Sequence, residues 1–326
     1  MKMQLSIGAI ACAFGLAAAP GMVYAASEFP TKPIRLIVGF PPGGGADQTA
    51  RVIADELGRQ LKQSIVVENR AGAGGAIAAE AVARSDPDGY TLLLGNTGSM
   101  TINPAIYRKL RYEPLKDFAP VGLITESPLL ILLNAASPYE SVDQFKAAAA
   151  KSPGKVNFGS GGTGSIGHLT GASFSQKLGV QLTHVPYRGG SPAVTDLMGN
   201  QIEMVVEGTP IGTPLIQSNK LKALMITSDK RLSTLPNVRT AKEAGMDDFV
   251  IQVWYGLLAP AKTPDPIVKK LNEALIASLG KAEIQKKFVN QGAVAIPGTS
   301  EAFADKLKEE TSRWKAVVED AKIPLQ

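Results

Sequence analysis

Cysteine is nearly absent. Cys12 is the only one in 326 residues, so no disulfide within the chain can brace the fold. Histidine is almost as scarce, with only His168 and His184. They fall on separate predicted elements without ligand spacing, which speaks against a histidine-based metal centre, and no metal or other cofactor is expected. Aromatics make up 6% of the chain and no lysine or arginine run occurs, which excludes a nucleic-acid surface. Charged residues reach only 19% against 44% apolar, enough to bury a substantial core. Beyond the N-terminus no stretch is long and apolar enough to span a bilayer.

What is present begins with an export signal. Lys2 precedes the uncharged tract LSIGAIACAFGLAAAPGMVYA, and Val23-Tyr24-Ala25 puts small residues at −3 and −1 of a cleavage site. Residues 1–25 therefore read as a signal peptide, and the destination as the periplasm. A retained anchor fits poorly, because the tract is rich in Ala and Gly and runs into a processing site. A lipoprotein reading through Cys12 fails because Ala9 stands where leucine is wanted. Cleavage removes the one cysteine and lowers the net charge of +5 by one, so core burial alone must hold the exported chain together.

The stretch IRLIVGFPPGGGADQTAR, residues 34–51, organises the rest of the chain. An apolar run from Ile34 to Phe40 reads as a buried strand, Pro41 to Gly45 as a tight turn, and Asp47 as the opening of an amphipathic helix with Ala50, Ile53, Leu57 and Leu61 on one face. Free N–H groups of a first helical turn, with the helix dipole behind them, form a seat for an anion. KVNFGSGGTGSIGHLTGASFSQKL, residues 155–178, repeats the strand, glycine turn and helix. Strands alternating with helices imply an α/β fold with parallel pairing. A break at Glu126-Ser127-Pro128 and a returning strand within residues 250–260 mark two crossings between lobes. The first lobe is expected over 26–126 plus 254–326, closed by the C-terminal helices, and the second over 127–253.

Familiar chemistry does not fit these turns. Gly159, Gly161 and Gly164 match a dinucleotide fingerprint, but no acid for a ribose occurs between Ser165 and Thr195. Neither turn continues into the Lys-Ser or Lys-Thr of a P-loop. No nucleophile elbow is present; residues 189–193 come nearest and miss at the last position. His168 and His184 read as residues with structural partners. Two anion seats in a chain without evident catalytic machinery point to a binding protein, not an enzyme.

The motifs FPTKPIRLIVGFPPGGGADQTAR, VVENRAGAGGAIAAEAVARSDPDGYTLLLG, NPAIYRKLRYEPLKDFAPV, HVPYRGGSPAVTDLMGNQIEM and WYGLLAPAKTP cover nearly the whole mature chain. In them the sequence closely resembles the Bug family, the TctC-like extracytoplasmic solute receptors of tripartite tricarboxylate transporters. The resemblance implies a type II periplasmic-binding-protein fold: two α/β lobes, an interdomain ligand cleft and two hinge crossings. It implies a monomer that delivers a small carboxylate, held partly through water, to membrane permease subunits. It places Phe40, backbone donors at Gly43, Gly44, Gly45 and Ala46, and Asp47, which either caps the helix or orients a water or ligand amine, on one side of the cleft. Gly161, Thr163, Gly164 and Ser165 face them, Tyr187 and Gly189 line the cleft, and Ser99 and Met100 meet the distal part of the ligand. Met100 and Glu207 depart from the family's usual His and Asp, and Glu207 could intrude on the cleft. An exported sensory receptor or a carboxylate-processing hydrolase using the same cleft is the alternative; the hydrolase needs a serine within reach of His168.

Overall fold

The computed structural model describes residues 29–320 and residue 325, so the expected signal peptide lies outside the described residues. The chain starts as two βα steps and a third strand: β1 (Ile34–Val38), α1 (Gly45–Leu61), β2 (Ile65–Asn69), α2 (Ala76–Ala83) and β3 (Thr91–Asn96). Two short helices, α3 (Asn103–Ile106) and α4 (Pro114–Asp117), lead into the long strand β4 (Phe118–Asn134). The rhythm resumes with α5 (Val142–Lys151), β5 (Asn157–Ser160), α6 (Ile166–Leu178), β6 (Thr183–Pro186), α7 (Gly190–Met198), β7 (Met204–Gly208), α8 (Thr209–Gln217) and β8 (Leu221–Ile226). Strand β9 (Gln252–Pro260) returns, followed by α9 (Asp265–Leu279), α10 (Ala282–Asn290), the two-residue β10 (Val294–Ala295) and α11 (Ser300–Asp320).

The strands lie in the order β2-β1-β3-β9-β4-β7-β5-β6, with β10 and β8 also joined to β4. β1 pairs in parallel with β2 and β3, and β5 with β6 and β7, as βαβ units require. Strand β4 links the two groups. It pairs antiparallel with β9 from Phe118↔Pro260 to Pro128↔Gln252, then with β7 from Leu129↔Gly208 and with β8 from Leu130↔Ile226. The sequence pattern divides this segment into two apolar runs at Glu126-Ser127-Pro128, yet β4 is one strand of 17 residues. Proline fits there because it stands where β4 changes partners, so its missing N–H interrupts neither ladder. Glu126 is held at the crossing by Lys306 of α11 at 2.6 Å.

Period-two alternation sorts β1 between two cores. Leu36 and Val38 pack with Ile53 and Leu57 of α1, while Ile37 packs with Ala78, Val82 and Leu93 on the other face. A third cluster, including Leu130, Leu132, Val194, Leu197, Val205 and Ile211, fills the second lobe. The C-terminal helices pack on α1 and on β4. Asn272 of α9 donates to the Val121 carbonyl at 2.7 Å, and Trp254 of β9 donates to Glu310 of α11 at 3.0 Å. Each buried Leu or Ile contributes about 1.5–3 kcal/mol, which supplies the stability that a disulfide cannot.

Three boundaries move in ways that matter for the cleft. β1 stops at Val38, leaving Gly39 and Phe40 in the turn, and α1 starts at Gly45, ahead of Asp47. β3 runs on to Asn96 and is followed by a π-helical turn, Gly98–Ile102, where the sequence suggests a loop.

Candidate functional site

Two helices start at the gap between the lobes. On the first lobe Gly44 is the N-cap of α1, with extended backbone (φ −77°, ψ 167°) and no side-chain cap. Asp47, at the third helical position, tethers the turn. Its Oδ2 accepts the Gly43 amide and Arg51 Nε, each at 2.9 Å, and its Oδ1 accepts Asn69 Nδ2 at 3.0 Å. Burial opposes its charge, but the hydrogen bonds from Arg51, Gly43 and Asn69 outweigh that and hold its carboxyl below the usual range. Asp47 therefore positions the turn instead of capping by itself or facing a ligand, and the Gly43 amide is engaged. Gly44 N–H reaches back to the Pro41 carbonyl at 3.4 Å, and the first intrahelical bond runs from Gln48 to Gly44. The amides of Gly45 and Ala46 remain open at the cleft.

On the second lobe Ser165 caps α6, its Oγ accepting the His168 amide at 3.2 Å. The Ser165 amide binds the Gly162 carbonyl at 3.1 Å, and the Gly164 amide faces His168 Nδ1 at 3.4 Å. With the Gly162 amide on Ser160 Oγ at 3.2 Å, three amides of the turn are engaged within it. Further open donors lie at Ile166 and Gly167, which both border the cleft. Beneath the turn His168 and His184 stack with ring centroids 4.0 Å apart, and His184 Nε2 meets Ser160 Oγ at 2.7 Å. Burial pushes His168 down to about 4, and burial plus His168 pushes His184 to about 3, so both rings are neutral at pH 7. Ser160 is fully buried and also hydrogen-bonds Gly162 and Ser165. The serine that a histidine ring reaches is thus sealed under the turn, away from any substrate.

Between the helix ends lies a cavity of about 40 Å³, bordered by Phe40, Gly44, Gly45, Ala46, Asn96, Gly161, Ser165, Ile166, Gly167, Gly190, Glu207 and Tyr255. A second, outer chamber of about 240 Å³ is bordered by Gly72–Gly74, Tyr107, Gly161–Thr163 and Pro186–Arg188, and Phe40 and Gly161 touch both. The lobes are in contact around this space. Tyr107 Oη donates to the Thr163 carbonyl at 3.2 Å, and a Cβ on Gly189 (φ +149°) would overlap Pro41 Cδ. A Cβ on Gly164 (φ +80°) would overlap Asn103 Oδ1. Gly164 and Gly189 thus contribute close approach, and neither borders a cavity.

Two expected contacts, Met100 and Ser99, are corrected. Met100 is fully buried in the first-lobe core with Trp254 and Leu258, because the π-helical turn rotates it inward. Ser99 donates its amide and Oγ to Asn96 Oδ1, both at 2.9 Å, and also stays off the cleft. The side chain at the cleft is Asn96 itself; with Oδ1 so occupied, its Nδ2 is left as a donor. Tyr187 borders only the outer chamber, its ring packs on the second-lobe core, and its hydroxyl donates to Asp196 at 2.7 Å. Burial, then Asp196, pushes that hydroxyl up to about 12. Glu207 does reach the inner cavity. Sequence reading misses Asn96, Ile166, Gly167, Gly190 and Tyr255, which stand at a strand end, a helix start or a lobe crossing, where an open α/β sheet faces its ligand crevice.

Residues 49–323 match the family model described as the tripartite tricarboxylate transporter family receptor, TctC. The chain belongs to the TctC receptor family. It is 35% identical to protein BugT of Bordetella pertussis over 302 residues, covering 92% of this chain and 93% of BugT. In structure it is similar to MatC of Rhodopseudomonas palustris with bound malate (TM-score 0.86, 35% identity, 89% and 100% of the two chains covered). A second R. palustris protein, with adipate, gives a TM-score of 0.89 at 33% identity, covering 92% and 100%. The periplasmic-binding-protein fold expected from the sequence is therefore the fold of this TctC-family chain, and the family is one of receptors. Among the described residues, no helix is long and apolar enough to cross a membrane, and no three potential metal ligands cluster.

Proposed function

We propose that this TctC-family chain is a periplasmic solute receptor that captures a small carboxylate between its lobes and delivers it, as a monomer, to the permease subunits of a tripartite tricarboxylate transporter. The carrying observation is the meeting of two helix N-termini, α1 and α6, across one cavity, each with amides not used by its own turn. A carboxylate there accepts from Gly45 and Ala46 on one side and from Ile166 and Gly167 on the other, directly or through water, with Asn96 as a side-chain donor. Hydrogen bonds to a charged group contribute about 1.5–3 kcal/mol each. Three or four, less ordering costs, give about 8 kcal/mol, or micromolar affinity. The malate and adipate held by the two R. palustris relatives support a carboxylate ligand.

Capture works by population shift. A ligand touching both helix ends binds the closed arrangement better than the open one and draws the protein into it. The lobes, 26–126 with 254–326 against 127–253, turn about the crossings in β4 and β9. Isothermal titration of the chain without residues 1–25 against mono-, di- and tricarboxylates, malate and adipate included, tests the reading. Micromolar binding of at least one is expected, and binding of none would sink it.

A further inference from the structure

The polar groups around the inner cavity are chiefly donors, but one is an acid. Glu207 sits near the end of β7, and its Oε1 accepts the Gly208 amide at 2.9 Å, whereas Oε2 has no hydrogen-bond partner among the described residues. That oxygen lies against Gly190 at the start of α7, where any Cβ would overlap it. Among the described residues, no lysine, arginine or histidine borders the cavity. Titratable groups on the surrounding elements are engaged elsewhere. Asp47 of α1 pairs with Arg51, Asp196 of α7 accepts the Tyr187 hydroxyl, His168 of α6 faces the Gly164 amide, and Glu126 of β4 pairs with Lys306. β5 and α8 carry no titratable side chain. Among the described residues, Tyr255 of β9 is the one other titratable group that borders the cavity.

A ligand carboxylate on the open amides thus stands beside a second carboxyl group in a space of about 40 Å³. Two such groups in so confined a space, with no cation lining it among the described residues, cannot both stay ionised, as paired carboxyls in other proteins show. We propose that Glu207 makes capture proton-coupled: each carboxylate bound takes up one proton from solvent, and neutral Glu207 donates a hydrogen bond to the ligand where ionised Glu207 would repel it. The inference rests on the carboxylate-receptor reading and deepens it. The step is balanced: solvent gives the proton, Glu207 Oε2 receives it, and the ligand keeps its charge. Burial pushes the Glu207 carboxyl up to about 7, so around neutral pH the free protein is part-way through losing that proton. Burial, with the Glu207 charge added, also raises Tyr255 and keeps its hydroxyl neutral.

Titration calorimetry with adipate and malate, in buffers of high and low ionisation enthalpy at pH 8, reads the coupling directly. Uptake of about one proton per ligand is expected, with affinity falling about tenfold per pH unit above pH 7 and nearly level below pH 6. Glu207→Gln keeps a neutral donor, so it should bind with a level pH profile, no buffer dependence, and at pH 8 about tenfold more tightly than the unaltered chain. Binding by the unaltered chain with a buffer-independent enthalpy and a level pH profile would overturn the inference and leave the receptor reading standing. Failure of every carboxylate to bind at any pH would overturn both.

Discussion

The two turns that face each other across the cleft do the same work by opposite chemistry. Pro41–Asp47 is anchored by an ionised carboxylate, with Asp47 drawing Gly43, Arg51 and Asn69 onto one side chain. Gly161–Ser165 is anchored by neutral groups: the Ser165 cap, buried Ser160 and two stacked imidazoles. Both arrangements engage part of the glycine turn's own amides and leave the first helical turn open. The glycines accordingly contribute conformation and close approach, while the residues just after them, Gly45–Ala46 and Ile166–Gly167, contribute the donors.

The contrast can be broken first where the turns meet. Gly189→Ala should put a Cβ into Pro41 and prevent closure, lowering carboxylate affinity by about 100-fold or more, because a closed state only a few kcal/mol from the open one is easily lost. Stability should fall by only about 1–3 kcal/mol, the cost of a non-glycine residue at that φ. Calorimetric titration and thermal unfolding separate the two effects. Gly44 is a weaker test, since a Cβ there would lie 3.3 Å from the Pro41 carbonyl, tight but not barred.

The charged anchor comes next. Asp47→Ala leaves Arg51, Asn69 and the Gly43 amide without their acceptor and should cost about 3–5 kcal/mol in denaturant unfolding, with weaker binding as the turn loosens. The neutral anchor should show itself through pH. His168 and His184 are neutral when folded and ordinary bases when unfolded, so the unfolded chain binds more protons between pH 6.5 and about 4. Their contribution is whole above pH 6.5 and is lost as pH falls toward 4. At about 1.4 kcal/mol per pKa unit, a variant with His168 replaced by glutamine should lose roughly 3 kcal/mol less over that window. Asp47, with its carboxyl held low, keeps its contribution to lower pH. Glu207 runs the other way: raised from 4.5 to about 7, it stabilises fully below 4.5 and loses that contribution as pH rises through 7. The smallest effect is Ser165→Ala, which removes one N-cap and should cost about 1 kcal/mol.

Much of this architecture is legible in the sequence because periodicity is local. The face Ala50, Ile53, Leu57 and Leu61 identifies α1, and the two strand–turn–helix units locate the cleft. What escapes depends on partners distant in the chain. Asp47 looks like a cap or a ligand contact because Asn69, 22 residues away, is not visible as its partner in one dimension. Met100 looks like a cleft residue because nothing local announces the π-helical turn that buries it. Tyr255 looks like one more apolar strand residue until β9 is seen to pass the cavity. Glu207 is legible as an intruding acid, but the absence of a cation beside it, among the described residues that line the cavity, is not.

A structure of the natively purified protein with adipate or malate bound tests the central claim most directly. It should show one ligand carboxylate within hydrogen-bond distance of the Gly45–Ala46 amides and of the Ile166–Gly167 amides, directly or through one water. A carboxylate held by one lobe alone, or seated in the outer chamber against Arg188, would contradict capture between the two helix ends.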